Sequence, residues 1–274
     1  MIKQNSKIII SEWSGRLGNN VIQFSNGIYI CLKTNSHLDY PNHKFFKSHD
    51  LNFSQGKICN HYMTRFYDPT DCFSIYPSIA ERRYILQNYV KGLLTFNIDV
   101  HQFPKSSHRK KLVIQMRSGE LFLKNPNPKY VPSPLSYFTK IIEENGYDDV
   151  LIVCEDRTNP VIGKLEEMYS FCNVQSSDLV SDMRTIANAE HLCTTVGTFG
   201  FMLTLFNNRL KRLYVDNIPK DLLDFGYFDS QNRDLNFDVV KYDIQDYIKF
   251  GYWKNTSEQY NLVFNLPKEK VVRL

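Results

Sequence analysis

Short apolar runs alternate with amphipathic stretches along most of this chain. Lys7 to Ser11 (KIIIS) is a β-branched run suited to a buried parallel strand, and residues 20 to 33 (NVIQFSNGIYICLK) set Val21, Phe24, Ile28, Cys31 and Leu32 on one helical face. With the turn SEWSGRLGNN between them, they make half of a βαβ unit. Residues 34 to 100 are aromatic and turn-rich, and predict only a helix around Ile79 to Leu86. Beyond Leu112 the rhythm is clear. Strands are predicted at 112–118, 149–156, 191–196 and 212–215. They alternate with helices from Ser133-Pro134 to Gly146, from Asn159-Pro160 to about Tyr169, at 178–189 and at 197–206. Ser133 and Asn159 read as N-caps, each followed by proline at the first helical position. A last helix is predicted from Trp253 to Phe264, with Asn255 or Thr256 as its N-cap. Such alternation predicts an α/β protein with doubly wound parallel sheets. The polar, proline-bearing HQFPKSSHRKK at 101–111 reads as a linker between a domain at 1–105 and one at 106–250.

Composition narrows the chemistry. The 274 residues are 42% hydrophobic and 23% charged, enough for two modest domains. A net charge of +4 with scattered lysines and arginines predicts no nucleic-acid surface, while leaving room for a local anionic ligand. Six cysteines without a C-x-x-C pair or zinc-ligand spacing predict neither a disulfide framework nor a structural metal, and favour a reducing, cytoplasmic setting. The opening MIKQNSKIIISEW has too short an apolar run for a signal segment, and no stretch approaches a membrane span.

In a doubly wound sheet, ligands bind beyond the carboxyl ends of the strands. The four predicted exits there are SEWSGRLGNN, RSGELF, CEDRTNP and VGTFG, which gather arginines, carboxylates and small residues with accessible backbone N–H groups. The glycine turn at Gly15 to Asn19 lacks both the spacing of a phosphate-cradling P-loop and the third glycine and downstream acid of a dinucleotide fingerprint. Arg117, closing an apolar strand, suits a bound phosphate, with a salt bridge to Glu120 or Glu155 as the structural alternative. Asp156 is either a turn former or an acceptor for a ribose or base, and Thr198 is either an N-cap or a phosphate donor.

Three segments carry a family resemblance. GRLGNNVIQFSNGIYI resembles the G-R-L-G-N-Q-x-x-Q-[YF] opening of the family 11 alpha-1,2-fucosyltransferases and the R-F-G-N-Q loop of protein O-fucosyltransferases. VIQMRSGELF resembles their H-x-R-x-G-D-[YF] motif, and TTVGTFGFMLTLF their S-x-S-T-F-S-W-W-x-A-x-L segment, in the same order. The resemblance implies a GT-B fold, two Rossmann-like domains with a cleft between them, and an inverting, metal-independent transfer. It places Arg16, Gly18, Asn19 and Asn20 on the first-domain wall of the donor site, and makes Arg117 the group that neutralises the leaving pyrophosphate. Ser118 and Gly119 follow Arg117 in the same motif, while Gly197, Thr198 and Phe199 fall in the phosphate- and base-binding loop. By analogy with GT-B proteins, residues 251–274 are expected to pack back on the first domain.

The departures are specific. The family's histidine is Gln115, its second arginine position holds Ser118, its aspartate is Glu120, and its tryptophan pair is Phe201-Met202. A glutamine cannot act as a base, so the acceptor hydroxyl needs another; the candidates are Glu12, His37, Asp39 and Glu120. The implied function is transfer of a sugar, GDP-fucose being the favoured donor, to a hydroxyl of an oligosaccharide or glycoprotein. The alternatives are a UDP-xylose donor or a nucleotide- or glycan-binding protein without turnover. No cofactor beyond the nucleotide sugar is expected.

Overall fold

The computed structural model describes residues 6–48, 51–52, 59–63, 77–94, 110–216 and 236–274. Those up to residue 94 belong to one compact unit, and those from 110 onward to a second. The predicted linker falls mostly outside the described residues, and Lys111 already opens a strand.

Unit 1 is built on β1 (Ser6–Ile10) and α1 (Leu17–Thr34), joined by the glycine turn. β2 (His37–Asp39), β3 (Leu51–Asn52) and β4 (Cys59–Met63) complete a sheet of order β3-β2-β1-β4. β1 pairs in parallel with both β2 and β4, and β3 is antiparallel. The chain moves from β1 to β2 on one side and later to β4 on the other, so the β1 exit loop stands at a topological switch point. α1 carries its predicted apolar face, but burial extends to Gln23, Ser25 and Asn26. Gly27 lets it cross β2 closely, since a Cβ there would lie 2.9 Å from Leu38. α1 ends on Asn35 in the left-handed conformation. α2 (Ile79–Ile85) begins in a Ser78/Glu81 capping box and runs into a π-helical turn at Leu86–Val90, longer than the predicted helix.

Unit 2 holds β5 (Lys111–Met116), α3 (Leu135–Asn145), β6 (Asp149–Cys154), α4 (Pro160–Met168) and β7 (Cys172–Gln175). It continues with α5 (Leu179–Ala187), β8 (His191–Thr194), α6 (Thr198–Thr204) and β9 (Arg212–Val215). β10 (Asp238–Ile244), α7 (Ser257–Asn265) and β11 (Val271–Arg273) close it. The sheet order is β11-β10-β9-β8-β5-β6-β7, parallel except for β11. From β7 to β10 this is the doubly wound order 3-2-1-4-5-6, with its switch point between β5 and β8. Leu112, Ile114 and Ile152 of the central strands are fully buried, as a sheet covered on both faces requires. The α/β class with parallel sheets is as the sequence predicts.

One detail differs from expectation. The cap of α3 is Pro134, not Ser133, whose hydroxyl is turned to Asp216 instead. The C-terminal helix α7, capped by Thr256, belongs to unit 2: Val263 and Leu266 join the core of Tyr137, Phe138 and Ile141. The apolar side of α7 faces α3 within unit 2.

Candidate functional site

Among the described residues, the β5 exit in unit 2 gathers most of the candidate site residues. Arg117 follows the last residue of β5, and its backbone is fixed from both neighbouring strand exits. On the β8 side its N–H donates to Thr195 Oγ1 (3.0 Å), which in turn donates to the Gln115 carbonyl (3.2 Å). On the β6 side Asn159 Nδ2 donates to the Arg117 carbonyl (2.9 Å), and the Asn159 N–H donates to Ser118 Oγ (3.2 Å). Asn159 also caps α4 through Val161 N–H (3.1 Å), as predicted, so one asparagine fixes a helix start and the site loop together.

The guanidinium is held on three sides. It pairs with Glu120, lies over the Tyr130 ring at 4.3 Å, and approaches Gly197 so closely that a Cβ there would stand 2.7 Å from Nη1. Gly197 has φ of +119°, a backbone that side chains rarely adopt. The Arg117 side chain is only 17% exposed, and its Nε is buried without a hydrogen-bond partner. A buried cationic N–H left unmatched is costly.

The structure brings Arg117, Ser118, Gly119, Glu120, Asp156, Gly197, Thr198 and Phe199 to the exits of β5, β6 and β8, but in unequal roles. Ser118 is buried and occupied by Asn159. Gly119, with φ of +58°, donates its N–H to Asp156 Oδ1 (3.2 Å) and Thr158 Oγ1 (2.7 Å). Asp156 also accepts from Thr158 N–H (2.9 Å). Burial works against its ionisation, but the hydrogen bonds from Thr158, Gly119 and Ser118 outweigh it and hold the carboxyl below its usual value. Asp156 therefore acts as a turn former, and Arg117 pairs with Glu120, the salt bridge weighed as the structural alternative. Thr198 opens α6 behind the cap residue Gly197. Gln115, standing at the family's histidine position, points under α6, where a Cβ on Gly200 would lie 2.8 Å from its Oε1. It is a packing group at a place where only glycine fits above it.

Within unit 1, the glycine turn is tied to α1 by side-chain hydrogen bonds. Gln23 is fully buried in α1; its Oε1 accepts from Ser14 N–H (3.0 Å) and its Nε2 donates to the Glu12 carbonyl (2.9 Å). Asn20 Nδ2 donates to the Ser14 carbonyl (3.0 Å), and Asn20 Oδ1 is 3.3 Å from His43 Nε2. His43 Nδ1 accepts from Phe45 N–H (3.1 Å), which leaves Nε2 as the protonated nitrogen that donates to Asn20. Burial lowers the His43 pKa, consistent with a neutral ring. Asn20, predicted to face the donor, is thus engaged at both ends of its amide. Gly15 takes φ of +75°, and a Cβ there would stand 2.5 Å from Asn19 Nδ2. Gly18 is buried in the first turn of α1, while Arg16, its cap residue, and Glu12 are exposed. Trp13 packs edge-on to Phe24, Tyr40 and His43, and donates to the Pro41 carbonyl (3.1 Å).

A groove of about 640 Å³ beyond β2 is lined by His37, Asp39, Tyr40 and His43 among others. Asp39 is ion-paired with Lys7 at 2.8 Å. Among the described residues, no group of three or more His, Cys, Asp or Glu is arranged to hold a metal ion. No helix of the described residues is long and apolar enough to cross a membrane. Cys31, Cys154, Cys172 and Cys193 are free and buried, their thiols pushed up by burial.

Sequence reasoning passed over Tyr130 and Asp216, and read Ser133 only as a helix cap. Tyr130 has no local signal. Asp216 had one, since it closes the strand RLYV and so stands at a fifth strand exit.

No protein-family model matches the chain, and no curated protein matches it in sequence. The resemblance to the fucosyltransferases therefore rests on the three quoted segments. In three dimensions the chain is similar to "E. coli heptosyltransferase WaaC with ADP", at a TM-score of 0.39 and 10% identity over 86% of this chain and 93% of that chain, a likeness too loose to bear on activity.

Proposed function

We propose that the chain is a glycosyltransferase of the GT-B class, which uses a nucleotide sugar and transfers the sugar to a glycan hydroxyl with inversion and without a metal. The observation that carries this reading is Arg117: a largely buried guanidinium at the switch point of a doubly wound sheet, with an unmatched Nε and a glycine opposite its Nη1. Departure of a nucleoside diphosphate builds charge on the bridging and terminal oxygens, and a preorganised cation aimed there lowers the barrier. Arg117 offers parallel donors that match phosphate oxygens. Its backbone, braced by Thr195 and Asn159, and its ring partner Tyr130 keep the group in place before the ligand arrives. On binding, the phosphate replaces the Glu120 carboxylate as the counter-charge. The released Glu120, with Glu12 and Asp39, remains a candidate base.

GDP-fucose is the favoured donor on the motif resemblance, and UDP-xylose the alternative. Binding without turnover is the second reading, favoured by Gln115, which is packed under α6 and cannot accept a proton. Calorimetry and thermal shift with GDP, UDP and their sugars, on wild type and Arg117→Ala, test the proposal. Binding of one nucleotide that depends on Arg117, with release of that nucleotide when a glycan is offered, supports transfer. Binding without release across the donor panel leaves the binding protein. Nucleotide affinity indifferent to Arg117→Ala overturns both.

A further inference from the structure

A second pocket, about 450 Å³, adjoins the Arg117 site within unit 2. Its walls are the loop before α3, Val196 after β8, Asp216 after β9 and the segment after β10. It is thus another carboxyl-end pocket of the parallel sheet. Its lining comes from residues next in the chain to the arginine's own contacts: Lys129 and Val131 flank Tyr130, and Val196 precedes Gly197. We propose that this pocket is a sugar subsite, in which the Asp216 carboxylate accepts hydrogen bonds from the hydroxyls of one ring of the donor or the acceptor.

The chemistry of the lining selects that ligand class. Val131, Pro132, Val196 and Ile244 give an apolar wall, and Asp216 is the convergent polar group. An ionised carboxylate only accepts, and has room for about four hydrogen bonds. Ser133 Oγ supplies one at 2.5 Å. The Asp216 backbone N–H supplies another, and the remaining lone pairs at the cavity edge suit a ligand with O–H donors. A phosphate brings only acceptors and like charge, whereas a sugar brings hydroxyls along one edge and C–H groups on its faces. Tyr247 closes a side of the pocket by donating to the Pro132 carbonyl (2.8 Å), so it is a wall, not a free donor.

Burial pushes the Asp216 carboxyl up to about 6, against the lowering effect of the Ser133 hydrogen bond. The groups facing it are Tyr137 of α3, Cys193 of β8 and Tyr247 after β10, with pKa values that burial raises. Lys129, Lys249 and Asp246 stand among the lining residues, and Asp246 is paired with Lys270 at 2.5 Å. No cation among these contacts Asp216 in the way Glu120 contacts Arg117. A loop latch could be built from two neutral groups; this one keeps an acid at the edge of a cavity.

The inference rests on the reading of Arg117 as the diphosphate anchor, and the test separates the two. Asp216→Asn should bind the nucleoside diphosphate within about twofold of wild type, whereas Arg117→Ala should not. If the ring belongs to the donor, Asp216→Asn lowers nucleotide-sugar affinity by about 10-fold or more. If it belongs to the acceptor, acceptor KM rises by about the same factor with donor KM unchanged. Neither change at intact nucleotide binding overturns the subsite and leaves Asp216 as a latch for the Ser133 loop. A second readout needs no variant: saturation-transfer NMR of free fucose, xylose, glucose and mannose on wild-type protein. The signal of at least one should weaken several-fold between about pH 7.5 and about pH 5, as the carboxylate gains its proton. Transfer indifferent to pH, or none from any of the four, overturns the proposal.

Discussion

The two units present the same device, a loop leaving the central strand at a switch point, and use it in opposite ways. In unit 1 the carboxamides of Gln23 and Asn20 turn inward and satisfy the loop's own backbone at Ser14 and Glu12. In unit 2 the loop backbone is satisfied by its neighbours, Thr195 and Asn159, and the long side chain of Arg117 keeps a buried donor unmatched. A loop that spends its polar groups on itself is a scaffold. One that is held from outside can leave its own side chain for a ligand.

The sharpest way to break this contrast is to remove the guanidinium. Arg117→Ala should lower sugar transfer by about 100-fold to 1000-fold, the range seen when one preorganised donor to developing charge is lost. Steady-state turnover with the active donor measures it, and a loss below about threefold would return Arg117 to a purely structural role. Next comes Gly197→Ala, which adds a methyl 2.7 Å from Nη1 at a φ of +119°. Displacing the arginine by about 1 Å should cost up to about 100-fold in turnover, alongside about 1–3 kcal/mol of backbone strain visible in the melting curve.

Unit 1 should answer differently. Gln23→Leu leaves the Ser14 N–H and the Glu12 carbonyl without their partner, and should destabilise the protein by about 1–3 kcal/mol by chemical denaturation. Nucleotide affinity should stay within about threefold of wild type; a larger fall would mean that the glycine turn also grips the nucleotide.

Asp216→Asn sharpens the comparison through pH. The folded-state pKa of about 6 lies above that of an unfolded aspartate, so the folded protein binds more protons between about pH 4 and pH 6. Stability contributed by that excess is present at low pH and is lost as pH rises through the folded value. The asparagine variant should therefore be more stable than wild type above about pH 6, by on the order of 2 kcal/mol, and equal to it near pH 4. Melting curves across that window decide it. The smallest effect is expected of Glu120→Gln, which frees Arg117 from its counter-charge and should tighten phosphate binding several-fold in calorimetry.

Where the sequence was legible, the signal was local. Asn159-Pro160 marks the start of α4 because both the cap and the fixed φ act within one turn. β5 is legible because a strand buried on both faces is apolar along most of its length, Gln115 apart, and Arg117 because it follows that run. β7 is not, since CNVQ is a short edge strand with one buried residue and no run to read. Ser133 misled because its hydroxyl answers to Asp216, 83 residues away, and not to the helix it precedes. The same holds for Tyr130 over Arg117 and for Gln23 beneath the glycine turn. Whether 83 residues apart or about ten, such side-chain pairings leave no periodicity, so the position of the candidate site could be read while its bracing could not.

The clasp at the end of unit 2 carries a consequence for biosynthesis. Trp253 Nε1 donates to the Leu121 carbonyl (2.7 Å) across 132 residues, and Asn255 Nδ2 reaches the Phe122 carbonyl (3.1 Å). The turn after Arg117 is therefore fastened by a segment that leaves the ribosome long after the turn itself. A nascent chain halted before Trp253 would carry the arginine without its clasp, so the bracing of that turn waits on synthesis of the segment that holds Trp253 and Asn255.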